Sequence, residues 1–451
     1  MQSDPVSPPA VFTEGSTMRH VVVMTAAASV GLISIFLVDL LSLLYVSRLG
    51  DANLTAAVGF ATQVMFFSVS ICIGLSIAIG ALVSRAIGAG DRPAARRFAA
   101  SGLVHVVLVT AFVSSAAWPL RREILMLFGA RGEALDVGAT YLAITLPVTV
   151  FLGLGMSLAG ILRAIGDPRR AMYVTLAGAL ATAALDPVFI FGFGLGVNGA
   201  AIVTIISRII FVVVGLHGAS RKHRLIARPS AAAAIADVPA MMGIAVPAIL
   251  TNLAAPVAGA YSMRIFSQFG DAVVAAFAII DRVNPVAFGV LFALSGSVGP
   301  IMGQNLGAKL IGRVRQVLTN CFVVAALYVV VVALALRQAA PLVVDLFHAK
   351  GETADLVTFF CAYGGPLWLF LGAIFVANAA FNNLGFPFLS TLFNWGRATL
   401  GAIPFVTFGA AHYGPEGGYL GLIAGSALFG VGAVVAAYWV TGRLAKNHKD
   451  A

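Results

Sequence analysis

The sequence predicts an all-α polytopic membrane protein with twelve transmembrane helices in two parallel six-helix repeats, an N-lobe and a C-lobe. Three observations predict it. Of 451 residues, 60% are hydrophobic and 10% charged, against about 25% charged in an ordinary soluble chain. Apolar runs long enough for a helix to cross a bilayer, roughly 20 residues, recur along the whole chain. Segments of the first half also return in the second at an offset of 219 or 220 positions.

The apolar runs place spans at 21–46, 54–79, 98–118, 137–159, 171–191 and 200–219, then at 240–262, 272–297, 317–336, 355–377, 388–410 and 419–441. Residues 1–17 are polar and rich in Pro and Ser. With no basic region ahead of a short apolar one, they read as a disordered cytoplasmic tail and not a cleaved signal. The N-terminal lobe is expected over 18–219, a basic, alanine-rich cytoplasmic linker over 220–239, the C-terminal lobe over 240–442 and a second cytoplasmic tail over 443–451.

Charge fixes direction. The tails and even-numbered loops hold 18 of the 28 Lys and Arg residues, the other loops seven, and three (Arg208, Arg282 and Arg397) fall inside spans. By the positive-inside rule both termini are cytoplasmic. The net charge of +10 is spread in short clusters between apolar runs, where it faces lipid headgroups; nucleic acid is not an expected partner. Cys72, Cys321 and Cys361 lie within apolar runs and read as small core residues.

The repeats are specific. "FGARGE" at 128–133 returns as "FHAKGE" at 347–352, Pro147 as Pro366 and "LRAIGDP" at 162–168 as "FNNLGFP" at 381–387. "LGDA" at 49–52 returns as "FGDA" at 269–272, and "RAIGAG" at 85–90 as "QNLGAK" at 304–309. Two even-numbered bundles run in the same direction, an architecture of secondary transporters with a substrate site at mid-membrane.

A charged side chain inside a bilayer costs roughly 2.5–3.5 kcal/mol on insertion scales and marks a functional position by default. Asp39 lies nine residues before Arg48, about 13 Å from the end of its helix, too deep for a short carboxylate to reach the interface. A structural ion pair with Arg208 is the competing reading. Asp186 precedes Pro187, which removes a backbone donor and frees carbonyls beside the carboxylate; Thr182 lies one turn earlier on the same face. Both aspartates lack a counterpart in the second repeat, where Asp39 falls on Gly259 and Asp186 on Phe405. Scaffolding shared by two copies would not need that asymmetry.

Tyr141, Asp281, Arg282, Asn378, Asn382 and Arg397 are second-rank candidates for lining a substrate cavity. Asp281 and Arg282 are adjacent and so point about 100° apart on a helix, poorly placed to pair directly. Asn383 and Asn394 are further polar positions. His105 reads as a packing residue. "GLGVNG" at 194–199 matches a dinucleotide fingerprint but joins two apolar helices instead of following a strand. Walker A, G-x-S-x-G and H-E-x-x-H patterns are absent, so no catalytic residues, cofactor or hydrolytic metal site are expected and the chain does not read as an enzyme.

These segments together resemble the multidrug and toxic compound extrusion (MATE) family over nearly the whole chain. They are "LGDANLTAAVGFA", "RAIGAGDRPAARR", "LRAIGDPRRAM", "LDPVFIFGFGLGVNGAAIVT" and "GPIMGQNLGAKLIGRVR". The resemblance implies a secondary antiporter of the plasma membrane, in a bacterium the inner membrane. By alternating access between two lobes it would export organic compounds, cationic or amphipathic and drug-like, in exchange for protons or sodium. Similarity to the DinF-like branch implies a coupling site at Asp39 and Asp186, with Thr204 and Ala200 on the sixth span. Thr182 stands where asparagine is common, which favours protons over sodium at Asp39 and Asp186. Gly31 or Ser29 would have to supply any hinge in the first helix. Small-molecule substrate and lipid are the implied partners, and a monomer completes the fold.

Two alternatives stand beside this reading. A flippase for lipid-linked oligosaccharides would share the repeats, but the spans hold few arginines for the cationic cavity it needs. A non-transporting membrane assembly protein would leave the acidic pair as scaffold.

Overall fold

A computed structural model describes residues 10–49 and 52–449. Gly50 and Asp51 of the first "LGDA" motif, residues 1–9 of the expected tail and residues 450–451 lie outside the described residues.

Every regular element is helical among the described residues. The first half runs α1 (Thr17–Ser47), α2 (Ala52–Gly88), α3 (Arg92–Ala117), α4 (Arg121–Leu127), α5 (Gly132–Thr145), α6 (Thr149–Ala164), α7 (Pro168–Pro187) and α8 (Gly196–Leu216). The second runs α9 (Ala231–Phe266), α10 (Asp271–Ala287), α11 (Gly289–Gly307), α12 (Ile311–Leu346), α13 (Glu352–Tyr363), α14 (Gly365–Leu384), α15 (Pro387–Gly396) and α16 (Ile403–Lys449). Among the described residues nine helical stretches are long and apolar enough to span a membrane, and the bent pairs α5/α6 (52°) and α10/α11 (45°) bring the number to eleven. The stretch Pro387–Asn447 contains non-helical backbone at Tyr413 and Gly414, ahead of Pro415. Divided there, it supplies the last two expected spans and completes twelve. The chain is an all-α, multi-pass membrane protein.

Chain entry and exit follow local chemistry. Asp91 and Asp167 cap α3 and α7 by accepting from Ala94 N and Arg170 N, and each is followed within two residues by a proline whose missing N–H is not needed there. Pro187 ends α7: its ring cannot sit against the preceding turn, and the backbone widens into a π-helical turn at Val188–Gly192.

The domain boundaries differ from those expected. One compact unit comprises Ala10, Val11 and Val30–Ile249, the other Phe12–Ser29 with residues 250–449. The cause is packing. Met241, Ile244 and Ala245 of α9 are buried in the N-lobe core with Leu75 and Ile79 of α2, Leu158 and Ile161 of α6 and Phe211 of α8. Phe12, Val21 and Met24 are buried in the C-lobe core with Leu294 and Val298 of α11, Leu318 of α12, Phe381 of α14 and Ala437 of α16.

The cytoplasmic tail expected over 1–17 is corrected from residue 10 onward. Phe12 is 2% exposed, its N–H donates to Gln304 Oε1 at 3.0 Å and its carbonyl accepts from Asn305 Nδ2 at 3.1 Å. Arg313 donates to the carbonyls of Phe12, Glu14 and Gly15, each at 3.1 Å. The "QNLGAK" repeat thus carries a latch for a turn-rich N-terminal segment, whose backbone polar groups would otherwise lack partners. The expected tail over 443–451 is likewise helical as far as Lys449, the end of α16.

The linker is also held. His223 Nε2 bonds Asp167 Oδ2 at 2.8 Å, Arg170 Nη1 pairs with the same oxygen at 2.5 Å, and Arg92 Nη2 donates to the His223 carbonyl at 2.8 Å. Partial burial acts to raise the Asp167 carboxyl, but the bonds from His223 and Arg170 outweigh it and hold the group below its ordinary value.

Candidate functional site

The N-lobe brings Asp39, Asp186, Tyr141, Thr204 and Arg208 together. α1 carries Asp39 and, three residues on, Ser42 on the same face. Ser42 Oγ donates to Asp186 Oδ2, which joins α1 to the last turn of α7. Asp186 is 1% exposed, and its second oxygen, Oδ1, is buried with no hydrogen-bond partner. Asp39 lies close enough for the two carboxylates to repel. Unlike Asp186, it has open space beside it. One acid is therefore sealed and bonded while its neighbour is reachable.

Arg208 of α8 faces the pair. Its guanidinium acts electrostatically on Asp39, yet the two form no ion pair within 4 Å among the described residues, and its Cζ lies 5.0 Å from the Phe211 ring centroid. The ion-pair reading weighed for Asp39 is thus not the geometry observed. Tyr141 of α5 lies near Thr204, Asp39, Asp186 and Arg208. Thr204 Oγ1 donates to the Ala200 carbonyl at 3.0 Å. The sequence grouped Tyr141 with the substrate cavity; its neighbours are those of the acidic pair.

Thr182 turns inward on its own helix, its hydroxyl donating to the Gly178 carbonyl at 3.0 Å. At Gly178 α7 packs closely against α8: a Cβ there would stand 1.9 Å from Phe211 Cε1. α1 is continuous through Ser29 and Gly31. A Cβ at Gly31 would meet Thr175 Oγ1 at 2.1 Å, so this glycine serves close approach of α1 to α7. Ser42 and Arg208 were not selected from the sequence as members of the site. Ser42 had one available signal, its position one turn after Asp39.

The C-lobe candidates separate into two groups. Asn378, Asn382, Ser390 and Asn394 form a buried ladder between α14 and α15. Asn394 Nδ2 donates to Asn378 Oδ1 at 3.0 Å, and Ser390 Oγ to Asn382 Oδ1 at 3.2 Å. Arg397 follows at the start of a π-helical turn, Arg397–Gly401. Asp281 and Arg282 sit apart on α10, both exposed, with no ion pair between them among the described residues. Asn284, one turn on, accepts from Trp368 Nε1 at 3.1 Å. His105 is buried and bonds the Ala234 carbonyl at 3.0 Å, a packing role.

A twelve-span bundle repeated in two halves, with an acidic pair in one half and no strand in the described chain, defines the class as a membrane transporter. The MatE family profile matches residues 27–188 and 247–406, and the chain belongs to that family of multidrug and toxic compound extrusion transporters. Among its relatives are a FAD transporter of Shewanella oneidensis, 29% identical over 440 residues covering 93% of each chain, and the multidrug export protein MepA of Staphylococcus aureus, 22% identical with 96% of each covered. Two solved structures share the fold. The MATE transporter VcmN of Vibrio cholerae in its bent form superposes with a TM-score of 0.89 at 24% identity, covering 95% of this chain and 98% of that one. A MOP superfamily transporter of Pyrococcus furiosus superposes with a TM-score of 0.90 at 19% identity, covering 98% and 99%.

Proposed function

We propose that the protein is a secondary antiporter that exports organic compounds and is driven by protons entering at Asp39 and Asp186. The observation that carries the reading is the unequal pair itself. Asp186 is sealed, with Ser42 on one oxygen and nothing on the other, and Asp39 stands beside it with open space. Two carboxylates in a low-dielectric setting resist double ionisation and titrate as a unit. Protonation would relieve their repulsion and supply a donor for the orphaned Oδ1, changing which packing of α1 against α7 is favoured. Coupling needs only that proton and substrate bind the two packings with different affinities.

Sodium is the alternative ion, with the pair, Thr182, Thr204 and Ala200 around it. The Thr182 and Thr204 hydroxyls donate to their own helices and keep their lone pairs, so they bear on neither ion; the proton reading rests on the paired carboxylates. Lipid surrounds the protein in the plasma membrane of a bacterium, both termini are cytoplasmic, and a monomer suffices. For substrate, we propose a cationic or amphipathic drug-like compound, a reading that the relative named as a multidrug export protein supports. The relative named as a FAD transporter supports a second reading, an anionic nucleotide.

Accumulation of ethidium in everted membrane vesicles, where export becomes uptake, under an imposed pH or sodium gradient tests the proposal. Asp39→Asn and Asp186→Asn should each abolish gradient-driven movement while membrane levels of the protein stay the same. Wild-type rates in either variant would sink it.

A further inference from the structure

The C-lobe contains a cation with no counter-charge. Arg397 is half-buried, its Nε has neither solvent access nor a hydrogen-bond partner, and no ion pair reaches it among the described residues. Of the three arginines inside the spans read from the sequence, Arg208 stands by Asp39 and Arg282 is exposed beside Asp281. A charged group removed from water is retained where something pairs with it or where its function needs it bare.

Its surroundings are polar and preorganised. Arg397 follows Asn394 by three residues, which places the two on one helical face. Asn394 is pinned by donating to Asn378 Oδ1 at 3.0 Å and to the Ser390 carbonyl at 2.7 Å. Ser390 in turn donates to Asn382 Oδ1 at 3.2 Å and lies 3.3 Å from the Asn378 carbonyl. The amides satisfy one another, so the polar ladder ends in a guanidinium whose needs it does not meet. Beyond it the backbone widens into the π-helical turn Arg397–Gly401, a local irregularity frequent at functional sites.

Comparison of the repeats shows that the fold does not require this arginine. At the 219-residue offset Arg397 falls on Gly178, Asn378 on Ala159 and Asn394 on Thr175. At Gly178 the space is closed by the Phe211 ring, where a Cβ would already collide. The charge asymmetry is therefore reciprocal: the aspartates Asp39 and Asp186 have no acidic counterpart in the C-lobe, and Arg397 has no basic counterpart in the N-lobe.

We propose that Arg397 is the recognition residue for an anionic oxygen group, a phosphate or carboxylate, on the transported molecule. The planar guanidinium offers donors in a fork that matches either group, and the asparagine ladder holds its helix in place. The proposal deepens the transport reading and rests on it.

The test uses purified full-length protein in lipid nanodiscs and matched fluorescent probes that differ in one anionic group. Flavin mononucleotide against riboflavin reports on phosphate, and dansylglycine against dansylglycinamide on carboxylate. In the wild type, at least one anionic member should bind ten-fold or more tightly than its uncharged partner. Arg397→Gln should erase the difference and Arg397→Lys should keep part of it, since lysine retains the charge without the fork. Equal affinity within both pairs in the wild type, absent binding included, would overturn the proposal, as would a difference that persists in Arg397→Gln. If Arg397→Gln does not elute as a single species in size exclusion, the wild type and Arg397→Lys decide: an undiminished ten-fold preference in Arg397→Lys counts against the fork. Lack of gradient-driven transport of both ethidium and flavin mononucleotide in wild-type vesicles would instead defeat the transport reading, whatever the binding probes show.

Discussion

Ser42 of α1 donates a hydrogen bond to Asp186 of α7, and this one bond connects two helices that the sequence marks only by their isolated carboxylates. A hydrogen bond to a charged group contributes about 1.5–3 kcal/mol. Ser42→Ala should therefore slow gradient-driven efflux by roughly ten-fold or more without abolishing it, because both acids remain. Initial efflux rates compared with those of Asp186→Asn check this; a Ser42→Ala protein as inactive as Asp186→Asn would mean that the hydroxyl itself is indispensable.

Gly178 should not tolerate a side chain. A Cβ there would overlap Phe211, which is 2% exposed, and overpacking of a filled core costs about 1–3 kcal/mol. Gly178→Ala is expected to lower the thermal unfolding temperature in detergent, and Gly178→Ala combined with Phe211→Leu to recover part of the loss. Equal stability of Gly178→Ala and wild type would contradict the packing.

The N-terminal latch predicts a protease phenotype. Arg313→Ala removes the donor to three carbonyls, each bond contributing about 0.5–1.5 kcal/mol. Local opening of the segment around Phe12 should rise, and trypsin should cut at Arg19 faster than in wild type, followed by loss of an N-terminal tag. Unchanged cleavage kinetics would show that burial of Phe12 alone holds the segment.

At the linker, Asp167 gives a pH dependence of defined sign. Its carboxyl is held below the ordinary range by His223 and Arg170, against the opposing effect of burial. A depressed carboxylate contributes stability that is fully present above its unfolded value and lost as pH falls through the folded one. Unfolding temperature should thus decline on acidification below the usual carboxylate range, and Asp167→Asn should flatten that decline. At neutral pH Asp167→Asn loses the charged bonds and keeps a weaker cap, a cost of about 1 kcal/mol. An identical pH profile in both proteins would remove Asp167 from the account.

Much of the chain was readable in advance because a bilayer leaves few options. Backbone groups in hydrocarbon must bond within their own segment, so apolar length alone identified the spans, and the 219-residue offset identified the two lobes. Asp39 and Asp186 were conspicuous for the same reason, since charge at that depth is expensive. The segments outside the spans were misjudged where composition was the only guide. Residues 10–17 are polar and yet carry Phe12 into the C-lobe core, and the start of α9 belongs to the N-lobe through Met241 and Ile244.

The amino-acid order by itself determined the environment, the number of crossings, the duplication and the pair of acids, because each follows from composition and period along one dimension. Which groups surround those acids was decided only by the folded chain. Ser42, Tyr141 and Arg208 reach Asp39 and Asp186 from three further positions in sequence, and among the described residues no carboxylate forms an ion pair with Arg397. Hydrogen bonds and ion pairs act over a few ångströms, and distances of that kind between remote residues exist only once the helices have packed.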